Sequence, residues 1–254
     1  MLQMKNSEFI DKMNPFLKII ILIVVTFIGS IEYKPFLPIT LIVLGLVFVK
    51  LFSKLTVKEL INSVRIFIIM AFGFMGFILL ARYISKEPLM IMTIVGLGFK
   101  IILISIYSAI FVKTTNPTEF VVSMIKYFKV PPKFAYAFLT AYRFIPTFKE
   151  EYDLIRHAYQ VRGVSESKNI FLNIYNSKDY IIPMMATAVR KGIRISMAME
   201  TRAFGKYKTR TYYRKLVLHK NEIIVSGVYI GLIISITIIY SMNNLTNIGF
   251  KFLG

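Results

Sequence analysis

Residues 223–242 read IIVSGVYIGLIISITIIYSM, twenty residues without a charge. At about 1.5 Å per residue an uninterrupted helix of this length reaches about 30 Å, the thickness of a bilayer's hydrocarbon core. The stretch therefore reads as a membrane span. Working outward, residues 89–112 form a run of 24 broken only by Lys100, and residues 66–81 are a clean apolar run of 16. Both read as further spans. Residues 19–49 carry only Glu32 and Lys34, clustered with Tyr33, Pro35 and Pro38. That cluster predicts two short helices joined by a tight turn rather than one helix of 31 residues. The expected architecture is all-α and polytopic, with about five transmembrane helices and a helical cytoplasmic segment inserted before the last one. The expected organisation is a four-helix membrane region over residues 1–112, the inserted segment over 113–221, and the last span with its tail over 222–254.

Composition supports lipid as the solvent. The 254 residues are 56% hydrophobic with a mean hydropathy of +0.63. A water-facing surface needs more polar cover than that leaves. Cysteine and tryptophan are absent, so the chain offers no disulfide framework, thiol nucleophile or thiolate metal site. The first apolar run has no small-residue cleavage site and continues into a second span, so the N-terminus is expected to stay attached.

The formal net charge is +19, which in a soluble protein would point to nucleic acid. The distribution points elsewhere. With the N-terminus in the cytoplasm, Lys34, Arg82, Lys86 and Lys251 fall outside, Lys100 falls within the bilayer, and the other 27 of 32 Lys and Arg residues stay inside. That is the positive-inside pattern, and an odd number of spans puts the C-terminus outside. Twenty of the basic residues lie between Lys113 and Lys220, a segment with no uncharged run long enough to span. These charges suit anionic lipid headgroups and help to retain topology.

The inserted segment opens with Thr114, Thr115, Asn116 and Pro117, which end the fourth span and start a new helix, and it breaks again at Pro131 and Pro132. Apolar stretches at 134–142 and 180–189 are too short to cross the bilayer and fit helices lying along its face. Two helices in the segment look alike. One is expected to begin near Pro146, carries Phe148, Tyr152, Ile155 and Tyr159 at amphipathic spacing, and ends in Tyr159-Gln160-Val161-Arg162-Gly163. The other is expected to begin near Pro183 and ends in Met199-Glu200-Thr201-Arg202-Ala203. Each arginine lies three residues after a large apolar residue, Tyr159 or Met199, and seven after an isoleucine, Ile155 or Ile195. A cation in the last helical turn is favoured by the macrodipole and a glycine beyond it supplies a left-handed cap, so each end taken singly is an ordinary helix terminus. Two such ends at matching spacing look like two copies of one docking device.

Here the residues resemble the transmembrane T component of energy-coupling factor transporters, the family related to cobalt-transport permeases. That family carries two Ala-Arg-Gly signatures at the ends of two cytoplasmic coupling helices. The matching triplets are Val161-Arg162-Gly163 and Thr201-Arg202-Ala203, in which the arginines agree and the flanks depart. Met13-Asn14-Pro15, Thr114 to Glu119, Arg143-Phe144-Ile145-Pro146 with Glu150 and Glu151, and Ala198-Met199-Glu200 share the family's order, covering roughly residues 10 to 215. The resemblance implies a scaffold in the cell membrane, not an enzyme. Its two coupling helices would insert into grooves on two ABC-type ATPase subunits and pass their motion to a membrane-embedded substrate-binding S component. Val161, Arg162, Gly163, Thr201, Arg202 and Ala203 would make the docking contacts, with Tyr159, Met199 and Glu200 in support. ATP and Mg²⁺ would belong to the partner ATPases and no cofactor to this chain. Independently of the resemblance, the sequence contains no Gly-x-x-x-x-Gly-Lys-Ser/Thr run, so no phosphate-cradling loop of that kind is present.

Lys100 sits inside a span, where a basic residue costs about 2.5 to 3.5 kcal/mol on insertion scales and is by default functional. Pairing with backbone carbonyls is the quieter explanation. His157 and His219 are 62 residues apart with no ligand partner at helical spacing, so no metal site is expected. Glu150, Glu151 and Asp153 suit the first turns of a helix starting near Pro146, paired with Lys149 or Arg156. Methionines such as Met184, Met185, Met197 and Met199 suit packing or a sliding face. The alternatives are a dedicated permease subunit of a cobalt or nickel importer and an intramembrane lipid-processing enzyme. The latter has no aspartate pair at Asp-x-x-Asp spacing to hold Mg²⁺. Nucleic acid is not an expected partner. The transported substrate is not encoded in these motifs.

Overall fold

A computed structural model describes residues 9–86, 88, 90–162, 170–206 and 216–242, and within 170–206 the side chains from residue 181 onward. Every regular element among the described residues is helical: α1 (Phe9–Lys12), α2 (Pro15–Ile31), α3 (Phe36–Phe52), α4 (Val57–Ile84), α5 (Ile91–Thr114), α6 (Pro117–Tyr127), α7 (Pro132–Val161), α8 (Ile170–Thr201) and α9 (Lys220–Met242). The chain divides into two compact units, Met1–Ser123 with Leu216–Gly254, and Met124–Lys215.

The first unit is a multi-pass membrane bundle. Helices α4, α5 and α9 are each long and apolar enough to cross a bilayer, and α2 and α3 are shorter apolar helices of 17 residues. The tight turn expected around Glu32 is present, with the Glu32 carboxylate accepting the Lys34 N–H at 3.1 Å. Helices α2 and α3 bury matching every-fourth stripes, Leu17, Ile21, Val25 and Gly29 on one, Leu37, Leu41, Gly45 and Val49 on the other. Those stripes meet Leu103 and Tyr107 of α5 and Tyr229 and Ile233 of α9 in one core. Tyr107 donates to the Leu41 carbonyl at 3.0 Å, and its oxygen lies 2.6 Å from the Tyr229 hydroxyl, which ties three helices at one buried point. Helix α4 packs on α5 through Leu60, Val64 and Ile106. Its other faces expose Phe67, Phe72, Phe77 and Leu80, as acyl chains require.

Close approach depends on glycine at one point above all. A Cβ on Gly96 would lie 2.2 Å from the Tyr33 carbonyl oxygen, backbone in the α2–α3 turn, whereas on Gly98 the three nearest atoms would all belong to the Met75 side chain. Gly96→Ala should therefore cost about 1 to 3 kcal/mol of overpacking strain and Gly98→Ala less than about 1 kcal/mol, because Met75 can swing aside. Thermal unfolding of the two purified variants checks the order; equal shifts would show that the turn yields.

In the second unit α7 and α8 pair. Tyr136 meets Phe204 and Glu151 meets Lys191, so the partners run in opposite directions. The expected starts at Pro146 and Pro183 are corrected: both prolines lie inside helices of 30 and 32 residues. A proline deletes one ladder hydrogen bond, yet helix on either side can hold the register. The Phe144 and Phe148 rings stack across Pro146 at 5.6 Å, and Thr187 Oγ1 donates to the Pro183 carbonyl at 3.0 Å. The segments 134–142 and 180–189 are thus parts of these long helices, not separate short ones. Glu150, Glu151 and Asp153 fall within α7 rather than in its first turns, and Glu151 pairs with Lys191 at 2.7 Å.

Candidate functional site

The second unit carries both arginines. Helix α7 ends at Val161, and Arg162 is its C-cap at φ −77° and ψ 4°, with its N–H returning to the Ala158 carbonyl at 3.3 Å. The Arg162 guanidinium stands 5.9 Å from the centroid of the Tyr159 ring, one turn back on the same helix. Val161 is 89% exposed, so this terminus projects into the surroundings. Gly163 lies outside the described residues.

At the end of α8 the departure from glycine matters. Ala203 sits at φ +53°, a left-handed conformation that an L side chain resists. Its N–H reaches the Glu200 carbonyl at 2.9 Å and the Phe204 N–H reaches the Met199 carbonyl at 2.9 Å. These two bonds are the paired 5→2 and 6→1 closures of a Schellman motif, with alanine where glycine usually stands. Thr201 Oγ1 bonds the Ala198 carbonyl at 3.1 Å, and Arg202 and Glu200 are exposed beside it. The burial at the two termini is similar: Ile155 and Tyr159 on one, Ile195 and Met199 on the other, are all half-buried, and both arginines are exposed. Ala203→Gly should stabilise the unit by about 0.5 to 1 kcal/mol, the left-handed penalty relieved less the extra chain entropy of glycine, and Ala203→Val should destabilise it. Thermal melts of the purified variants check both signs.

Because α7 and α8 run antiparallel, the arginines cap opposite ends of the pair. Phe204 lies opposite Tyr136 and Lys191 opposite Glu151, so Arg202 sits near the start of α7. At 1.5 Å per residue, Arg162 is then about 35 Å away along the helix axis. Two cations that far apart do not form one anion site. They are suited to engage two separate bodies.

Lys100 is half-buried in the other unit. Its Nζ donates to the Ser30 carbonyl at 2.8 Å and stands 4.6 Å from the centroid of the Tyr33 ring. It thus satisfies an orphan carbonyl in the last turn of α2, where the helix dipole favours a cation.

Sequence reasoning missed a polar knot in the same bundle, at the end where α2 and α9 begin and α5 finishes. Lys18 and Glu222 are 7% and 3% exposed. The Glu222 carboxylate accepts the N–H of Asn14, the residue that caps α2, at 3.1 Å. The Lys18 ammonium donates to the carbonyl of Thr114, the last residue of α5, at 2.7 Å, with Asp11, Glu119 and Glu222 close enough to act on it electrostatically. Asp11 also accepts the Ser53 hydroxyl at 3.0 Å. An anion thus sits at one helix start and a cation at another helix end. The signal in the sequence was a lysine three residues into an apolar run and a single acid just ahead of the last span. The adjoining cavity, lined by Lys18, Thr114, Tyr107 and Tyr229 among others, measures about 40 Å³.

Comparison with known proteins adds the family context. The family model described as CbiQ, cobalt transport protein, matches residues 6–213. Among curated relatives, the energy-coupling factor transporter transmembrane protein EcfT of Acidaminococcus fermentans is 30% identical over 148 residues, 55% of this chain and 55% of that protein. EcfT of Limosilactobacillus fermentum is 30% identical over 139 residues, 52% of each chain. EcfT of Thermosediminibacter oceani is 27% identical over 185 residues, 66% of this chain and 70% of that one. The chain spans about half the length of the first two relatives.

Proposed function

Since this chain belongs to the CbiQ cobalt-transport family, we propose that it is the transmembrane scaffold of an energy-coupling factor importer. It would couple two partner ATPases to a membrane-embedded substrate-binding component. The observation that carries the reading is the pair of exposed arginines at opposite ends of α7 and α8, about 35 Å apart by helical rise, each seated on a half-buried apolar stripe. One plug would enter each ATPase. Because α7 and α8 are crosslinked by Glu151–Lys191 and Tyr136–Phe204, displacement of one plug by an ATP-driven groove would be felt at the other. Exposed apolar residues on both helices, Phe134, Phe138 and Ile145 on α7 and Ile182, Met185 and Val189 on α8, supply the surface through which that motion would pass to the substrate-binding subunit.

In this arrangement the N-terminus and both docking ends face the cytoplasm and the C-terminus lies outside, following the positive-inside asymmetry. ATP and Mg²⁺ bind to the ATPases, and this chain performs no chemistry of its own. The test is co-purification of the full chain from its native membrane, comparing wild type with Arg162→Glu, Arg202→Glu and the double variant. Retention of both ATPases by an inserted double variant would overturn the docking reading.

A further inference from the structure

Beyond the two arginines, and resting on the docking reading above, we propose that Phe204 and Tyr136 form a latch that positions Arg202 for its partner. Arg202 is exposed, but the chain on either side of it is held. Before it, Met199 and Glu200 contribute the carbonyls that close the Schellman turn. After it, the Phe204 ring is half-buried and meets the Tyr136 ring of α7 edge-on, with centroids 5.6 Å apart and planes at 89°. One residue further, Gly205 adopts φ +91° and passes so close to the Lys133 stem that a Cβ would fall 2.9 Å from Lys133 Cε.

The consequence is that Arg202 rides on a turn pinned to a second helix, whereas Arg162 is braced by Tyr159 of its own helix. The two plugs therefore differ in kind. A side chain presented on a pinned turn has less freedom to lose on docking, so part of its affinity comes from the latch rather than from its own contacts. Phe204 and Tyr136 act through Arg202; they are positioning residues, not docking residues. The left-handed alanine fits this role, since the turn has to place Phe204 against Tyr136 whether or not a glycine is available.

The test uses the full chain in lipid nanodiscs and the two ATPases that co-purify with the wild-type protein. Phe204→Ala and Tyr136→Ala should each weaken ATPase binding about 3- to 10-fold, the loss of one edge-to-face ring pair. Phe204→Tyr and Tyr136→Phe keep the rings and should stay within about twofold of wild type. In an Arg202→Ala background Phe204→Ala should add less than about twofold, because its effect passes through the arginine. If Phe204→Ala does not insert, Tyr136→Ala removes the same contact from the α7 side. Wild-type affinity in both alanine variants, or the same loss with and without Arg202, would overturn the latch. If Arg202→Ala weakens binding and the latch variants do not, the latch alone falls; if Arg202→Ala has no effect, the docking reading falls and the latch with it.

Discussion

Reversing Arg162 and Arg202, the two arginines proposed to dock, should leave the chain inserted in the membrane and strip it of the two ATPases proposed as its partners. A charge-assisted hydrogen bond in a partly desolvated groove contributes about 1.5 to 3 kcal/mol. Losing one such bond therefore weakens that anchor about 10- to 150-fold, and a glutamate facing acidic groups adds repulsion. The two proposed anchors sit on one pair of packed helices, so engagement of the first would raise the effective concentration of the second. Arg162→Glu or Arg202→Glu alone should thus leave a complex held by the remaining plug, reduced but recoverable at high protein concentration. The double variant loses the second attachment as well and should lose more than either single variant. Insertion is expected to survive, because both arginines are exposed and neither lies in the bundle that crosses the membrane. Co-purification yields of the ATPases, normalised to inserted chain, read this directly.

The second large effect is expected far from the docking ends, at Lys18. Lys18→Met removes the cation facing Glu222, Asp11 and Glu119 and strips the Thr114 carbonyl of its donor. Breaking a buried charged cluster from one side typically costs about 3 to 5 kcal/mol, since the remaining charges keep their burial penalty without compensation. Glu222→Gln should cost less, because an amide oxygen can still accept the Asn14 N–H. The double substitution Lys18→Met with Glu222→Leu should fall short of the sum of its singles, because each single leaves the other charge stranded. Thermal unfolding of the four detergent-purified proteins measures this, and additive losses would show that the two groups do not compensate each other. The knot joins the amino-terminal helices to the last span across 208 positions of sequence, so its loss should also expose α9 to proteolysis.

Most of the membrane architecture was legible in residue order. An uncharged run of bilayer length identifies α9, a run of similar length broken only by Lys100 identifies α5, and the cluster from Glu32 to Pro38 divides α2 from α3. The matched arginine ends were legible for the same reason: a helix terminus is a local event, and the residues that make it lie within one turn. The starts of α7 and α8 were not. Proline is a strong local stop signal, but at Pro146 and Pro183 it is outweighed by helix on both sides and by contacts that bridge it, Phe144 on Phe148 and Thr187 on the Pro183 carbonyl. A sequence displays the signal without the contacts that override it.

What residue order alone determined is therefore what depends on length, polarity and short spacing: an all-α membrane chain, its spans, and two arginines that end amphipathic helices. Tertiary structure alone decided which distant groups meet. It joined Glu222 to Asn14 and Lys18 to Thr114, closed Gly96 onto Tyr33, set Lys100 on the Ser30 carbonyl, and ran α7 against α8 so that the two arginines stand at opposite ends. The reason is physical. A burial pattern says that a side chain must find a partner out of water, but which of many possible partners it finds depends on how the helices pack.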